Sequence, residues 1–440
     1  VVSVTELLLS PWRRSGEPRL DGSLHPDFSQ VAQVLRNVLR EFPGGAGVCV
    51  YHRGEKVVDI WGGVRNRAGD AWQSDTMSPS FSTTKGVAAT LLHIYADRGQ
   101  IDYDDRVADY WPEFAQEGKS RITVRQVLAH QSGLYHIRQM VDRADRMLDW
   151  DYMIGAIERC APIHEPGQRT GYHGLTFGYL VGELARRIGG RPFPELVQKE
   201  IVAPLGLDGM FVGAPTEALP RAAQLLWARP GLISPTDELR NDPGERLEEA
   251  AVSVRRTMRR LGLDFGVLSA LDALAPRGIT SFDFSAHSTL QAAIPAANGL
   301  FTARSLARLY AALAGGGELD GVRLVSKRTL RRATQEQPRT RSRAVIPWDM
   351  RWRLGYHGVL TTVGFPRRAF GHFGFGGSGA FADPARDLAV ALIVNSGMGT
   401  PFGDLRILRI GGAALGSALQ RARAPRKVGR PLRAEVELAS

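Results

Sequence analysis

The feature that most constrains this fold is that strand-like segments sit at both ends of the chain, with helical patterning between them. Near the start, Gly47 to Tyr51 and Lys56 to Trp61 read as two strands joined by a turn at Arg53-Gly54. More than 300 residues later, Phe381 to Pro384 breaks before Leu388 to Val394, a β-branched apolar run. One helix precedes the first strand, from Phe28 to Phe42, with Val31, Val34, Leu35, Val38 and Leu39 at helical spacing. Another comes after Ser82, with Val87, Leu91, Ile94 and Tyr95 on one stripe and Gly99 to stop it. Thr123 N-caps a short helix carrying Val127 and Leu128 inward, with Gly133 as its expected C-cap. Leu180, Val181, Leu184 and Ile188 mark a helix ending at Gly189-Gly190. Thr302 opens one with Leu306, Leu309, Tyr310 and Leu313 inward and Gly315 at its end. Strands so far apart predict one sheet built from both ends of the chain, with a helix-rich region inserted.

The corresponding division is a sheet region of residues 28–100 together with 336–415, a mostly helical region of 101–335, and a basic tail of 416–440. Within the helical region, residues 212–300 are rich in Pro, Gly and charge and weakly periodic. They read either as a tolerated insertion or as a lid shaping a substrate pocket. No period of ~20–50 residues repeats, which argues against a solenoid or propeller.

Composition narrows the class further. With 440 residues and 43% of them hydrophobic, the chain can bury a sizeable core. The run Leu388–Val394 is far short of the ~20 apolar residues of a bilayer-spanning helix, so no transmembrane segment is expected. The formal charge of +11 is carried mostly by arginine. Its clusters (Arg255, Arg256, Arg259, Arg260; Arg339, Arg341, Arg343; and the tail from Arg421 to Arg433) lack interleaved aromatics. They read as solvated surface, with a polyanion patch as the alternative, and no nucleic acid is expected as a partner. Two cysteines cannot build a disulfide framework, and Cys49, between Val48 and Val50, reads as a small buried hydrophobe. Leu7-Leu8-Leu9 followed by Arg13-Arg14 is the wrong order for a signal peptide, so a cytoplasmic location is the default expectation.

Chemistry concentrates at Ser82-Thr83-Thr84-Lys85. Residues three apart share a helix face, so Lys85 brings its amine beside the Ser82 hydroxyl. A serine hydroxyl is a weak nucleophile until a base takes its proton. A lysine can be that base if burial and the positive end of a helix lower its pKa. The alternative is a capping serine with a surface lysine one turn later.

The stretch Ser80-Phe81-Ser82-Thr83-Thr84-Lys85-Gly86 resembles the serine β-lactamase and penicillin-binding protein superfamily, in particular its class C-like branch and the related family VIII carboxylesterases. The likeness continues through Gly99 to Asp105, Ile122 to Leu134, Pro166 to Tyr172, Ala297-Asn298-Gly299-Leu300 and Gly371 to Gly377, covering roughly residues 28–415. It implies an α+β fold of the serine β-lactamase/DD-peptidase type, an antiparallel sheet flanked by helices. The family's Tyr-x-Asn motif is matched by Tyr172-His173-Gly174: the tyrosine that assists proton transfer is present and the amide is missing. Its Lys-Thr-Gly motif is matched by His372-Phe373-Gly374, with histidine where a lysine would meet a substrate carboxylate. Neutral imidazole can hydrogen-bond a substrate or Tyr172 but is a poor fixed cation. By the same resemblance the oxyanion hole is made by the backbone N–H groups of Ser82 and Phe375, and Gly374, Gly376 and Gly377 let substrate approach the strand edge.

Rival signals are weaker. Gly374 to Gly379 fits G-x-G-x-x-G, but the residues after it are patterned as a strand rather than a helix. A nucleophile at Ser378 lacks the strand–turn–helix context of an α/β-hydrolase. Ten histidines form no metal motif, and no metal or cofactor is expected. The reading is therefore a serine hydrolase of small-molecule carboxylic esters, acting through an acyl-Ser82 intermediate with Lys85 and Tyr172 sharing the proton work. A β-lactamase or D-alanyl-D-alanine peptidase, and a non-catalytic ligand-binding relative, are the alternatives.

Overall fold

The structure, a computed structural model, describes residues 18–227, 267–346, 348–397 and 405–423. Its centre is a seven-stranded antiparallel sheet. Three strands come from the start of the chain: β1 (Leu20–Leu24), β2 (Gly45–His52) and β3 (Glu55–Gly63). Four come from the end: β4 (His357–Gly358), β5 (Phe370–Phe373), β6 (Gly379–Asp383) and β7 (Leu388–Val394). The order across the sheet is β1-β3-β2-β7-β6-β5-β4. The two ends of the chain join where β2 pairs with β7, with Val50 opposite Val390 and Cys49 opposite Ala391. The hairpin of β2 and β3 turns at Arg53 and Gly54, both at positive φ (56° and 78°), as a tight turn between right-twisted strands requires.

Period-two alternation divides the apolar residues between two layers. Val48, Val50, Val58, Ile60, Val390 and Leu392 face α1 (Ser29–Glu41) and α7 (Arg406–Arg423). Cys49, Ala389, Ala391 and Ile393 face the opposite core, shared with α2 (Thr84–Asp97) and α6 (Ala303–Ala314). Cys49 is fully buried and burial pushes its thiol pKa up, which makes it a packing residue. The inserted helices include α3 (Val124–Leu128), α4 (Thr176–Gly189) and α5 (Val267–Leu274). Thr123 and Thr302 cap their helices as expected, accepting from the N–H of Gln126 and Ser305, and α4 ends on left-handed Gly190.

Two boundaries differ from expectation. α3 stops at Leu128 with Ala129 as its C-cap, and Gly133 lies beyond it in a loop, where a Cβ would sit 2.9 Å from the His164 carbonyl oxygen. The last helix runs to Arg423 with Ala418 buried against the sheet, so residues 416–423 are not tail. Residues 424–440, the leucine-rich start and the Arg255–Arg260 cluster lie outside the described residues. Arg339 pairs with Asp349 (2.9 Å), and Arg343 approaches the same carboxylate, which fits a solvated surface for that cluster. Among the described residues no helix is long and apolar enough to cross a membrane.

Candidate active site

Ser82 sits in a one-turn 3-10 helix, Phe81–Thr83, that leads into α2. Neighbours on three sides hold the turn. The Ser80 N–H donates to Gly299 O (2.9 Å), Thr84 Oγ1 donates to Phe81 O (2.6 Å) and accepts from the Gly299 N–H (2.9 Å), and Thr83 Oγ1 donates to Ser378 O (3.3 Å). Phe81 takes φ = +46°, a left-handed conformation that costs a bulky residue about 1–2 kcal/mol. Its ring packs against Phe284 and Phe375, and that burial offsets the strain. Ser82 itself does not cap α2: its hydroxyl meets the Lys85 amine and the Tyr172 hydroxyl instead of a backbone N–H of the helix.

Lys85 is completely buried. Its Nζ lies 2.9 Å from Ser82 Oγ, 2.6 Å from Gly174 O and 3.0 Å from Ala296 O. Burial holds its pKa well below the ordinary lysine value. Tyr172 donates its hydroxyl to Ser82 Oγ (2.8 Å), with Lys85 Nζ 5.1 Å from its ring centre. The tyrosine ring stacks on Trp352 (5.6 Å, 13° between planes). Burial pushes the phenol pKa up, so the ring is a neutral donor. The two carbonyls beside Lys85 carry no side-chain signal and are not legible in the sequence. Asn298 fixes one of them: it accepts from the Ile294 N–H and donates to Thr289 O and Ala292 O, bracing the loop that presents Ala296.

Gly174 stands where the expected amide is missing, and the structure supplies the reason. A Cβ there would lie 2.3 Å from Leu274 Cδ2 and 2.6 Å from Ala273 O, both in α5. Part of the 212–300 excursion thus fills the space a side chain would need. Phe284, from the same excursion, touches Phe81, and Ala296 O touches Lys85. Residues 228–266 of the excursion lie outside the described residues.

On the strand side the structure narrows one alternative and adds a second role for a glycine. His372 makes no hydrogen bond to Tyr172: the ring centres are 6.3 Å apart, and His372 Nδ1 contacts Phe373 O (3.1 Å). A carbonyl only accepts, so Nδ1 carries the proton and the buried Nε2 is a bare acceptor. Burial, with His357 and Lys85 nearby, lowers the His372 pKa well below the usual histidine value, so the ring is neutral. Gly374 serves the nucleophile turn before any substrate: a Cβ there would lie 2.3 Å from Ser80 O. Gly376 and Gly377 have φ of 90° and 104° in the turn between β5 and β6, which a glycine adopts without strain. Phe375 stands in that same turn, directly after Gly374. Ser378 is 2% exposed, and its Oγ accepts from the Val394 N–H (3.1 Å), which makes it part of the sheet junction. The glycine run leads into strand β6 rather than a helix.

Buried neutral histidines around this region give the protein a pH-dependent stability. His93, His173 and His357 are fully enclosed, and burial lowers their pKa values to about 4, about 3 and about 4, from an ordinary 6.5. Above pH 6.5 folded and unfolded chains are both neutral at these sites, and the histidines contribute no pH dependence. As pH falls below 6.5 the unfolded chain takes up protons that the folded one refuses, so stability is lost down to about pH 4, by about 1.4 kcal/mol per pH unit and group. We expect the Tm to be level above pH 7 and to fall steeply between pH 6.5 and 4. Scanning calorimetry across that range checks this, and a level Tm from pH 7 to 5 contradicts it.

A seven-stranded antiparallel sheet with a serine, a buried lysine and a tyrosine joined beside its strand β5 is the arrangement of the β-lactamase-type serine hydrolases. The Beta-lactamase family matches residues 35–415, and the chain belongs to it. The Esterase/beta-lactamase LipL of Mycobacterium tuberculosis (strain ATCC 25618 / H37Rv) is 36% identical over 387 residues, covering 86% of this chain and 83% of that protein. The crystal structure of a penicillin-binding protein homolog from Caulobacter crescentus superposes with a TM-score of 0.76 at 35% identity, covering 91% of this chain and 100% of its own. A family VIII carboxylesterase superposes with a TM-score of 0.76 at 32% identity, over the same shares of the two chains.

Proposed function

We propose that this protein hydrolyses small-molecule carboxylic esters through an acyl-Ser82 intermediate, with Lys85 as the base. The observation that carries this reading is the set of three contacts around Lys85 Nζ. A neutral amine has two N–H groups and one lone pair. The carbonyls of Gly174 and Ala296 can only accept, so they take both N–H groups and leave the lone pair facing Ser82 Oγ. Ser82 then donates its proton to Lys85 while accepting from Tyr172, which is the polarity a nucleophile needs.

The steps balance within the site. Ser82 Oγ bonds to the ester carbonyl carbon as its proton passes to Lys85. The oxyanion is assigned, by resemblance, to the N–H groups of Ser82 and Phe375. As the ester C–O bond breaks, the proton returns from Lys85 by way of Tyr172 to the departing alcohol oxygen. Water then repeats the sequence on the acyl-serine and releases the acid. The name of the Mycobacterium relative and that of the carboxylesterase neighbour support the ester as substrate.

The β-lactam alternative needs two contacts that are weak here. Neutral His372 is no fixed cation for a carboxylate, and Gly174 offers no side-chain amide and has no room for one. Losing one charge-assisted and one neutral hydrogen bond removes ~2–4 kcal/mol of transition-state binding, or ~30- to 1000-fold in rate. We expect kcat/KM for short p-nitrophenyl esters to exceed that for a chromogenic cephalosporin by such a factor on one enzyme preparation. Equal or faster cephalosporin turnover overturns the ester reading in favour of the β-lactamase one.

A further inference from the structure

His130, just beyond α3, has a left-handed backbone (φ = +59°), a conformation that few residues other than glycine adopt. It is completely buried. Two of its groups meet one short stretch of a distant part of the chain. Its carbonyl oxygen accepts from the Gly171 N–H (2.9 Å), and its ring Nδ1 accepts from the His173 N–H (3.2 Å). Tyr172 stands between those two residues, so the backbone on both sides of the tyrosine is pinned to one histidine. The imidazole also touches the tyrosine, with ring centres 5.0 Å apart, and it touches Trp352 (4.4 Å), on which Tyr172 stacks. A backbone N–H only donates, so Nδ1 offers a lone pair and the ring proton sits on Nε2. Burial, with His173 and other groups nearby, lowers the His130 pKa well below the usual histidine value and keeps the ring neutral. Nε2 is buried and has no hydrogen-bond partner among the described residues. A left-handed backbone and an unpaired buried N–H are both unfavourable. An apolar side chain would avoid the second, but it could not accept from His173.

We propose that His130 is a positioning residue, fixing where the Tyr172 hydroxyl stands beside Ser82 rather than acting on the reacting atoms. This role rests on the ester reading above, in which Tyr172 relays a proton to the departing oxygen, and deepens it. The hydroxyl lies 2.8 Å from Ser82 Oγ at the end of a rigid ring. Its place is therefore set by the tyrosine backbone and the ring plane. Gly171 and His173 hold the first, and Trp352 and His130 hold the second. The loop that carries His130 grips the same stretch again. His173 Nδ1 donates to Gly171 O (2.7 Å), which leaves its Nε2 to accept from Ser132 Oγ (2.7 Å) and from the Leu134 N–H (3.3 Å). Any shift of residues 171–173 is carried to the hydroxyl, and a hydrogen bond weakens steeply with misplacement. The need for the relay depends on the leaving group. An alkoxide is a strong base that departs only with a proton, whereas p-nitrophenolate departs without one. A misplaced hydroxyl therefore handicaps alkyl esters more than p-nitrophenyl esters.

The test compares ethyl butyrate with p-nitrophenyl butyrate as a ratio of kcat/KM values on each preparation, which cancels any loss of active protein. His130→Gly keeps the carbonyl and takes the left-handed backbone without strain, but lacks the ring and its acceptor. His130→Asn tolerates the same backbone and carries Oδ1 on Cγ, as histidine carries Nδ1, to accept from His173. We expect His130→Gly to lower the alkyl-to-aryl ratio by at least about tenfold and His130→Asn to keep it within about threefold of wild type. If the Tm shows that His130→Gly does not fold, His130→Gln, whose oxygen lies one bond further out, takes its place with the same expectation. A ratio within about twofold of wild type in the folded variant, or one lost equally in His130→Asn, overturns the positioning role while ester hydrolysis stands. Crystal structures of wild type and variants read the hydroxyl without turnover. We expect it within hydrogen-bond reach of Ser82 Oγ in wild type and His130→Asn, and beyond about 3.5 Å in His130→Gly. That pattern in a protein that cleaves neither ester overturns the ester reading and keeps the positioning role. An unmoved hydroxyl in His130→Gly overturns the positioning role in either case.

Discussion

Ser82→Ala is expected to abolish ester hydrolysis, by on the order of 10⁴-fold or more, while leaving the protein folded. The oxygen removed is the one point at which Lys85 and Tyr172 meet, at 2.9 and 2.8 Å. Nothing adjacent can replace it: Thr83 Oγ1 is committed to Ser378 O, Thr84 Oγ1 to Phe81 O, and Ser80 Oγ to Ser78 O. The stability change is small because Ser82 caps no helix. The loss is an acceptor for the Tyr172 hydroxyl, about 1 kcal/mol where water can enter beside the half-buried serine. The check is kcat/KM on a p-nitrophenyl ester together with the Tm of the purified variant. Retained turnover in a folded Ser82→Ala protein refutes the assignment. Ser378→Ala is the matching control: its hydroxyl lies at the β6–β7 junction, so it should alter stability before chemistry.

Where the sequence is informative, the physics is periodic or local. The β-branched run Leu388–Val394 can be placed in a sheet because every residue of it is buried on one face or the other. Thr123 and Thr302 announce their helices because a cap is a contact between near neighbours. Lys85 and Ser82 meet for the same reason, being three residues apart, whereas Tyr172 is reached only through resemblance, since 90 residues separate it from Ser82. The hidden part depends on groups every residue has or on distant packing. The acceptors on Lys85 are backbone carbonyls from positions 174 and 296, and a carbonyl leaves no mark in a sequence. Glycine at 374 reads as room for a substrate, and its missing Cβ also makes room for Ser80 O, which the sequence does not show. His372 reads as a partner for a substrate or for Tyr172, and its Nδ1 meets its neighbour's carbonyl rather than the tyrosine, a contact no periodicity announces. Gly174 reads as a missing amide, and the approach of Leu274 and of the Ala273 carbonyl explains why no side chain could stand there.

Lys85 gives the sharpest separation between a base and a cation that merely positions its neighbours. Lys85→Ala would strip the carbonyls of Gly174 and Ala296 of their partner in a buried place, about 1–3 kcal/mol for each, and so mixes chemistry with stability. Lys85→Arg keeps donors for both carbonyls but cannot lose its proton near neutral pH, and because its larger head must enter a fully buried place its Tm is measured beside its turnover. If Lys85 acts as the base, Lys85→Arg is expected to lower kcat/KM by about 10²- to 10⁴-fold, as Lys85→Met does. Tyr172→Phe should lose less, because a phenol whose pKa burial has raised relays a proton but does not take one from serine. The pH profile carries the same logic. Activity requires the neutral amine, so the rate rises as pH rises through the Lys85 pKa and is flat above it. Since burial sets that pKa well below the ordinary 10.5, the rise lies far to the acid side of a free lysine. Lys85→Arg removes the limb along with the activity. A Lys85→Arg enzyme with near wild-type turnover, or a wild-type rate still climbing toward about pH 10, the range of an ordinary lysine, would show that the lysine stays charged and that the proton leaves Ser82 by another route.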